Sequence, residues 1–440
     1  MSFFSHLVPR SRLLLVFALV ALPAAALLSQ QTVLGVGLLV ILVATLALDA
    51  VLGASILRGL RAELEPLTRL ALERPGELAI RFQNPPQRPL SIRTGLALPP
   101  ELEHETVEVQ AQLPAGVTWS RVMLPVLPTR RGEYPLDGCY VEATSPLGLW
   151  SHRRRLAAKG RVRVYPNLMA ERAALAALSR QTVGPRQPRQ IGKGREFEKL
   201  REYLPGDGFD EIDWKATARR GTPVTRVFRV ERTQEIYILI DASRLTGRMV
   251  AGQSMLERYL SAGLILGDTA QRDGDRFGLV TYSDQVHAFL RASSGAPHFG
   301  LCRDSLVTLT TQFVNPDFDE LFAQIRTRLR RRAMLVFLTA LDDPTLTESF
   351  TRNAKLLARQ HLVCVNLIQP EGIRPLFTGP APHNADEIYD RLGAHLSWQK
   401  LTEAGRGLRQ QGIQFNLLDP QRLTYELIEQ YRSLKQRQLL

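Results

Sequence analysis

Residues 235–243 read EIYILIDAS, an apolar run from Ile236 to Ile240 closed by Asp241, a small residue and Ser243. A run this short, apolar at consecutive positions, fits a strand buried on both faces. Four runs downstream repeat it: RFGLVTYSD (276–284), AMLVFLTAL (333–341), LVCVNLIQP (362–370) and IQFNLLDP (413–420). Segments of helical periodicity separate them, at Met255 to Gln271, Asp319 to Arg331 and Leu346 to His361. This alternation predicts an α/β doubly wound, mostly parallel sheet over 235–440. Ligands of such sheets gather at the carboxyl ends of the strands, where the strand order reverses, which singles out Asp241-Ala242-Ser243.

Upstream the texture changes. Short β-like runs broken by Pro and Gly occupy Leu67 to Pro166: ELAIRFQNPPQRPLSIRTGLAL (77–98), ETVEVQAQLPAGV (105–117), YPLDGCYVEATSPLGLW (134–150) and RVRVYPNL (161–168). They predict an antiparallel β-sandwich over 59–166. Met169 to Ser179 reads as a helix, and RQTVGPRQPRQIGKGRE (180–196) as a basic linker, so 167–234 holds helix, linker and the charged motif treated below. Gly192-Lys193-Gly194 lacks the spacing and the Ser/Thr of a phosphate-binding loop.

At the N-terminus, Leu13 to Ser29 is uncharged and apolar, and Val33 to Leu48 continues so after Ser29-Gln30-Gln31-Thr32. Residues 1–58 are therefore expected to hold a transmembrane helical hairpin. Arg10 and Arg12 precede it, Arg58 and Arg61 follow it, and no Lys or Arg lies between. The positive-inside rule then puts both flanks and the soluble domains on the cytoplasmic side of a bacterial inner membrane. A signal peptide cleaved near Ala24-Ala25-Ala26 is the rival reading, and it leaves the soluble bulk on the same side. Asp49, late in the second span, reads as an interfacial acid.

Composition agrees with folded domains: 45% apolar and 22% charged residues. The 56 Lys+Arg exceed the 43 Asp+Glu by 13, a balance that suits an anionic leaflet. Stacking aromatics are not interleaved with the basic residues, so nucleic acid is not an expected partner. Cys139, Cys302 and Cys364 are far apart and lack CxxC spacing, and the eight histidines show no ligand spacing, so neither a disulfide framework nor a zinc site is expected.

The charged motif is REYLPGDGFDEIDWKATARRG, residues 201–221. Pro205-Gly206-Asp207-Gly208 is turn chemistry; Asp207, Asp213, Lys215, Arg219 and Arg220 are capable of ion pairing; Trp214 is a large apolar side chain. No histidine lies between His152 and His287, and neither G-x-S-x-G nor H-E-x-x-H occurs in the chain, which argues against an active site. The motif reads as a structural clasp or docking surface. With Trp214 as a buried anchor, Trp214→Ala is expected to remove about 3 kcal/mol or more.

The run from Tyr203 to Arg219, with Pro205-Gly206-Asp207, Ile212-Asp213-Trp214-Lys215 and Ala218-Arg219, followed by ILIDAS, resembles the bacterial family named domain of unknown function 58. Arg131-Gly132 with Tyr134, Pro146-Leu147-Gly148-Leu149-Trp150 and Val164-Tyr165-Pro166 resemble that family's further signposts. The resemblance implies two spans, a sandwich and a von Willebrand factor A-like domain. It also implies a MoxR-type AAA+ ATPase partner. Its signature residues here are Tyr203, Gly206, Asp207, Asp213, Trp214, Lys215 and Arg219.

Domains of that type are similar to integrin A domains, whose metal-ion-dependent adhesion site holds Mg²⁺ or Mn²⁺ on converging oxygens. Asp241 and Ser243 match two ligands. Leu245 stands where a second serine would, and Ala340 where a last aspartate would. Asp317, Asp319, Asp342 and Asp343 are the acids available to rebuild the site. The reading is a degenerate, metal-free site with no cofactor. The expected function is that of a non-enzymatic membrane-anchored accessory or scaffold protein acting with the ATPase on other proteins. The alternative is a divalent-cation-dependent adhesion-like ligand-binding domain.

Overall fold

A computed structural model describes residues 6–28, 31–84, 89–103, 108–181, 196–205, 207–229, 233–370, 372–373, 375–376, 378 and 384–436. Most of the basic linker, including Gly192-Lys193-Gly194, lies outside these residues, as do Gly206, His104 and His383. The chain divides into two units, Met1–Asn167 and Leu168–Leu440.

The first unit begins with strand β1 (His6–Pro9), then helices α1 (Ser11–Leu28) and α2 (Thr32–Ala54). By length and composition α2 can cross a membrane, whereas α1 is a shorter apolar helix. Strands β2 (Arg61–Leu64), β3 (Thr68–Ala71), β4 (Gly76–Gln83), β5 (Leu90–Leu96), β6 (Leu102–Glu103), β7 (Val109–Leu113), β8 (Trp119–Pro128), β9 (Gly132–Thr144) and β10 (Trp150–Tyr165) follow. One sheet runs β1-β10-β9-β5-β7 with β3 also on β10, and the other runs β2-β4-β8-β6. The pairs are antiparallel except β3 with β10, which is parallel. Along β8, Val122, Leu124 and Val126 are buried while Arg121, Met123 and Leu127 are exposed, the period of two expected of a strand with one face on a core. That core draws on both sheets, with Ile80, Phe82 and Leu124 from one and Ile92, Val141 and Val164 from the other.

The turn between β9 and β10 grips both apolar helices. Asp49 is fully buried; its carboxylate accepts from the Ser145 hydroxyl at 2.6 Å and from the Leu147 and Leu149 N–H groups at 2.9 and 3.3 Å. The Trp150 indole donates to the Leu46 carbonyl at 3.1 Å. Just before the other helix, the Arg10 N–H donates to the Leu149 carbonyl at 3.0 Å and its guanidinium to the Thr144 hydroxyl at 2.9 Å. Gly53 is needed here because a Cβ would collide with the His152 ring. Asp49 is thus not an acid facing an interface but the hub of an internal lock, since three convergent donors replace its water.

The second unit opens with α3 (Leu168–Gln181), an antiparallel ribbon of β11 (Glu196–Glu202) and β12 (Val224–Arg229), and α4 (Trp214–Arg220) inside that ribbon's connection. Then come β13 (Glu235–Asp241), the small ribbon β14 (Met249–Val250) and β15 (Gln253–Ser254), α5 (Met255–Arg272), β16 (Arg276–Tyr282), β17 (Val286–Ser293) and α6 (Ala296–Leu306). The chain continues through α7 (Phe318–Arg328), β18 (Met334–Leu338), α8 (Pro344–Leu357), β19 (Leu362–Ile368), α9 (Ala385–Gln410), β20 (Gln414–Leu418) and α10 (Leu423–Gln436).

The sheet order is β17-β16-β13-β18-β19-β20, parallel except for β17. All five strands expected from the sequence are present. The order reverses at β13, which has β16 on one side and β18 on the other. Alternate residues of β13 feed two cores: Ile236, Ile238 and Ile240 meet Leu260 and Leu264 of α5, while Tyr237 and Leu239 share the opposite core with Phe322 and Phe350. α3 joins the first face through Arg172, which pairs with Asp268 at 2.8 Å, and through Glu171, which accepts from Thr424 at 2.9 Å. At the start of β16 the buried Asp275 accepts from the Tyr431 hydroxyl at 2.6 Å, the Lys435 ammonium at 2.7 Å and the Gln234 N–H at 3.0 Å, fastening α10 to the sheet.

Candidate functional site

Two places answer to the sequence. The first is the carboxyl edge of the large sheet at the order reversal. Asp241 ends β13 and is completely buried. One carboxylate oxygen accepts from the Ser243 N–H at 2.8 Å, the other from the Thr339 hydroxyl at 2.7 Å. The Ser243 hydroxyl lies beside the carboxylate without a partner of good hydrogen-bond geometry. Burial pushes the Asp241 carboxyl above the ordinary aspartate range, against the opposing pull of Thr339 and Ser243. Around it the Tyr259 hydroxyl donates to the Thr339 carbonyl at 2.8 Å, and burial raises the Tyr282 hydroxyl well above its usual value. Leu245 and Ala340 are buried in the apolar core.

The four acids that would rebuild a cation site are committed elsewhere. Asp317 caps α7 by accepting from the Glu320 N–H at 3.0 Å, and Asp343 caps α8 by accepting from the Thr345 N–H at 2.9 Å. Asp319 accepts from the Asn353 amide at 2.5 Å, and Asp342 is ion-paired to Arg248. Among the described residues no three His, Cys, Asp or Glu side chains gather as a metal-binding group. A hard cation needs several ionised or carbonyl oxygens turned to one point. The donors at Asp241 do not fit one, because both of its oxygens already accept protein hydrogens and, among the described residues, no further acids gather with it. Chelation with EDTA is therefore expected to leave the melting temperature of the full chain unchanged; a rise with added Mg²⁺ would show that further oxygens join Asp241.

The second place is the connection of the β11–β12 ribbon. Asp207 accepts from the Leu204 N–H at 3.0 Å, Arg201 at 2.7 Å and the Thr225 hydroxyl at 3.2 Å. The Leu204 N–H foremost, with the Arg201 guanidinium, holds its carboxyl below the ordinary aspartate range. Asp213 caps α4 through the Ala216 N–H at 2.9 Å and pairs with Arg226 at 2.9 Å; these two contacts, the Ala216 N–H first, likewise lower its carboxyl. Thr217 accepts from the Val224 N–H at 3.0 Å, and Gly221 closes the helix with φ of 73°, a left-handed conformation suited to glycine. Ile212 and Val224 are buried beneath.

This scaffold turns its large apolar groups outward. Leu204, Phe209 and Trp214 are 57%, 76% and 66% exposed. Trp214 is therefore not a buried anchor: it is the first residue of a seven-residue helix with no buried position. Tyr203 packs its ring 6.3 Å from that of Phe209. Lys215, Arg219 and Arg220 are exposed beside them. Of the signature residues, Asp207 and Asp213 build the scaffold, and Trp214, Lys215 and Arg219 lie on its surface. Sequence reasoning overlooked Thr339, although it directly follows β18 as Asp241 ends β13, and the paired register of Ile240 with Leu338 sets them next to each other.

The model of the family described as "Protein of unknown function DUF58" matches residues 199–374. Residues 199–374 thus resemble the DUF58 family. The matched segment contains the ribbon from residue 199 onward and the strands from β13 to β19. An "Uncharacterized protein" of Mycobacterium tuberculosis (strain H37Rv) and another of Mycobacterium bovis are each 22% identical over 185 residues, 41% of this chain and 57% of the relative. The alignment thus spans little more than half of those relatives. Among solved structures, an "Uncharacterized Membrane Spanning Protein" from Vibrio fischeri is 14% identical with a TM-score of 0.17, covering 46% of this chain and 98% of that one. Proximal thread matrix protein 1 of the mussel byssus is 13% identical with a TM-score of 0.27, covering 45% and 44%. At these scores neither likeness assigns a function to the DUF58 segment.

Proposed function

We propose that this chain is a non-enzymatic, membrane-anchored accessory or scaffold protein whose DUF58 ribbon is a docking surface. In this reading both apolar helices cross a bacterial inner membrane as a hairpin. The two sheets of the first unit form a sandwich, the second unit is a von Willebrand factor A-like domain, and both face the cytoplasm. The partner is a MoxR-type AAA+ ATPase, with which the chain assembles or activates other proteins. Anchoring is supported by α2 and by the attachment of the hairpin's two outer ends, Arg10 and Asp49, to one turn.

The observation that carries the docking role is the outward aim of Leu204, Phe209 and Trp214 on a scaffold whose Asp207 and Asp213 are already satisfied. Large apolar groups held rigidly in solvent mark contact sites, and tryptophan is prominent among interface hot spots. The cation-dependent alternative is not favoured, for the reasons given for Asp241. Trp214→Ala is expected to change folding stability by no more than about 0.5 kcal/mol, as exposed substitutions do. The same variant should abolish crosslinking between a photoreactive group at position 218 and an AAA+ ATPase in native membranes. Retained crosslinking, or a melting curve shifted like that of a core truncation, would sink the docking role.

A further inference from the structure

We infer that the segment docking on the ribbon is acidic and amphipathic. This rests on the docking role proposed above and specifies its partner's chemistry. Tyr203 donates its N–H to the Pro223 carbonyl and Asp213 its N–H to the Val224 carbonyl, so the two ends of the connection are held on either side of the chain where β12 begins. Leu204 and Trp214, the next residues along, therefore flank that segment, both exposed, and Phe209 stands between them in the chain. Two acids of the connection are consumed inside, Asp207 by Arg201 and Asp213 by Arg226, and Glu211 is half-buried. Lys215, Arg219 and Arg220 have no carboxylate partner among the described residues, and Lys215 and Arg219, four apart, share one face of α4.

The surface is thus apolar at its centre and cationic at its side, and its complement is a segment with aliphatic or aromatic residues on one face and Asp or Glu beside them. A bilayer has related chemistry but fits less well. Interfacial helices need a broad apolar face, and α4 offers Trp214 with Ala218 only. Leu204 precedes a turn and Phe209 opens a single 3₁₀ turn, so neither extends an apolar helix face along an interface.

The three cysteines are buried, so Ala218→Cys allows selective attachment of an environment-sensitive dye to the full chain in phosphatidylcholine nanodiscs. The probes are two synthetic amphipathic peptides of one apolar pattern, one with Glu and one with Lys at the polar positions. The Glu peptide should bind, and at least about tenfold more weakly in K215E/R219E/R220E, in Trp214→Ala, and when salt is raised from roughly 50 to 500 mM. Equal binding of both peptides, no binding of either, or indifference to the charge reversal overturns the inference. A dye response to phosphatidylglycerol nanodiscs without peptide also overturns it, in favour of the membrane surface. If the ATPase crosslink still depends on Trp214 while the Glu peptide fails, the docking role stands and only the acidic partner falls.

Discussion

Asp49→Ala should destabilise the first unit by about 3 to 5 kcal/mol, because it leaves the Ser145 hydroxyl and the Leu147 and Leu149 N–H groups without an acceptor where water is largely excluded. Each buried donor left unpaired costs roughly 1–3 kcal/mol. Asp49→Asn should cost less, since its amide oxygen still accepts. The measurement is hydrogen exchange on the full chain in nanodiscs. Amides of 145–150 should lose protection in the alanine variant, while those of β13 and β18 keep theirs. Unchanged protection at Leu147 and Leu149 would mean that the turn holds its shape without the helix.

Asp275→Ala should cost a similar amount, about 3 to 5 kcal/mol, by stranding a cation. Its carboxylate has no solvent exposure and the Lys435 side chain is only 23% exposed, so removing one leaves the other poorly hydrated. Burial, and then the Asp275 carboxylate, push the Tyr431 hydroxyl well above the usual tyrosine value, which keeps it the donor. Lys435→Met in the same background should recover part of the loss, because an apolar group no longer needs the acid. Thermal unfolding of the single and double variants tests this; a double variant as unstable as Asp275→Ala alone would assign the loss to Tyr431 and the Gln234 N–H instead.

The large sheet was legible because each parallel strand is buried on both faces and therefore reads as an unbroken apolar run. β17 escaped because it is the antiparallel edge strand and mixes half-buried with exposed positions. α9 escaped for a related reason: its 26 residues carry three glycines and many charges, so no apolar stripe announces it. Asp317 and Asp343 offered a local signal as helix caps, Asp317 with Glu320 three residues on and Asp343 with Pro344 at the first helical position. Trp214 likewise lacked apolar companions at helical spacing, a sign of exposure. The bonds from Asp49 to residues 145–149 had no local signature, because they join positions about 100 residues apart that no periodicity links.

Strand β1 precedes the apolar helices, yet its partner is β10, with His6 opposite Arg153. At a synthesis rate of roughly 5–20 residues per second, about 150 residues of delay mean that β1 waits on the order of 10–30 s for its partner to exist. The apolar helices therefore emerge, and are free to partition into a bilayer, well before the sheet that brackets them is complete. Closure of β1 onto β10 and arrival of the Ser145–Trp150 turn at Asp49 are then late and coincident events. The pairing that closes this sheet thus waits for β10, the last of its strands to be made.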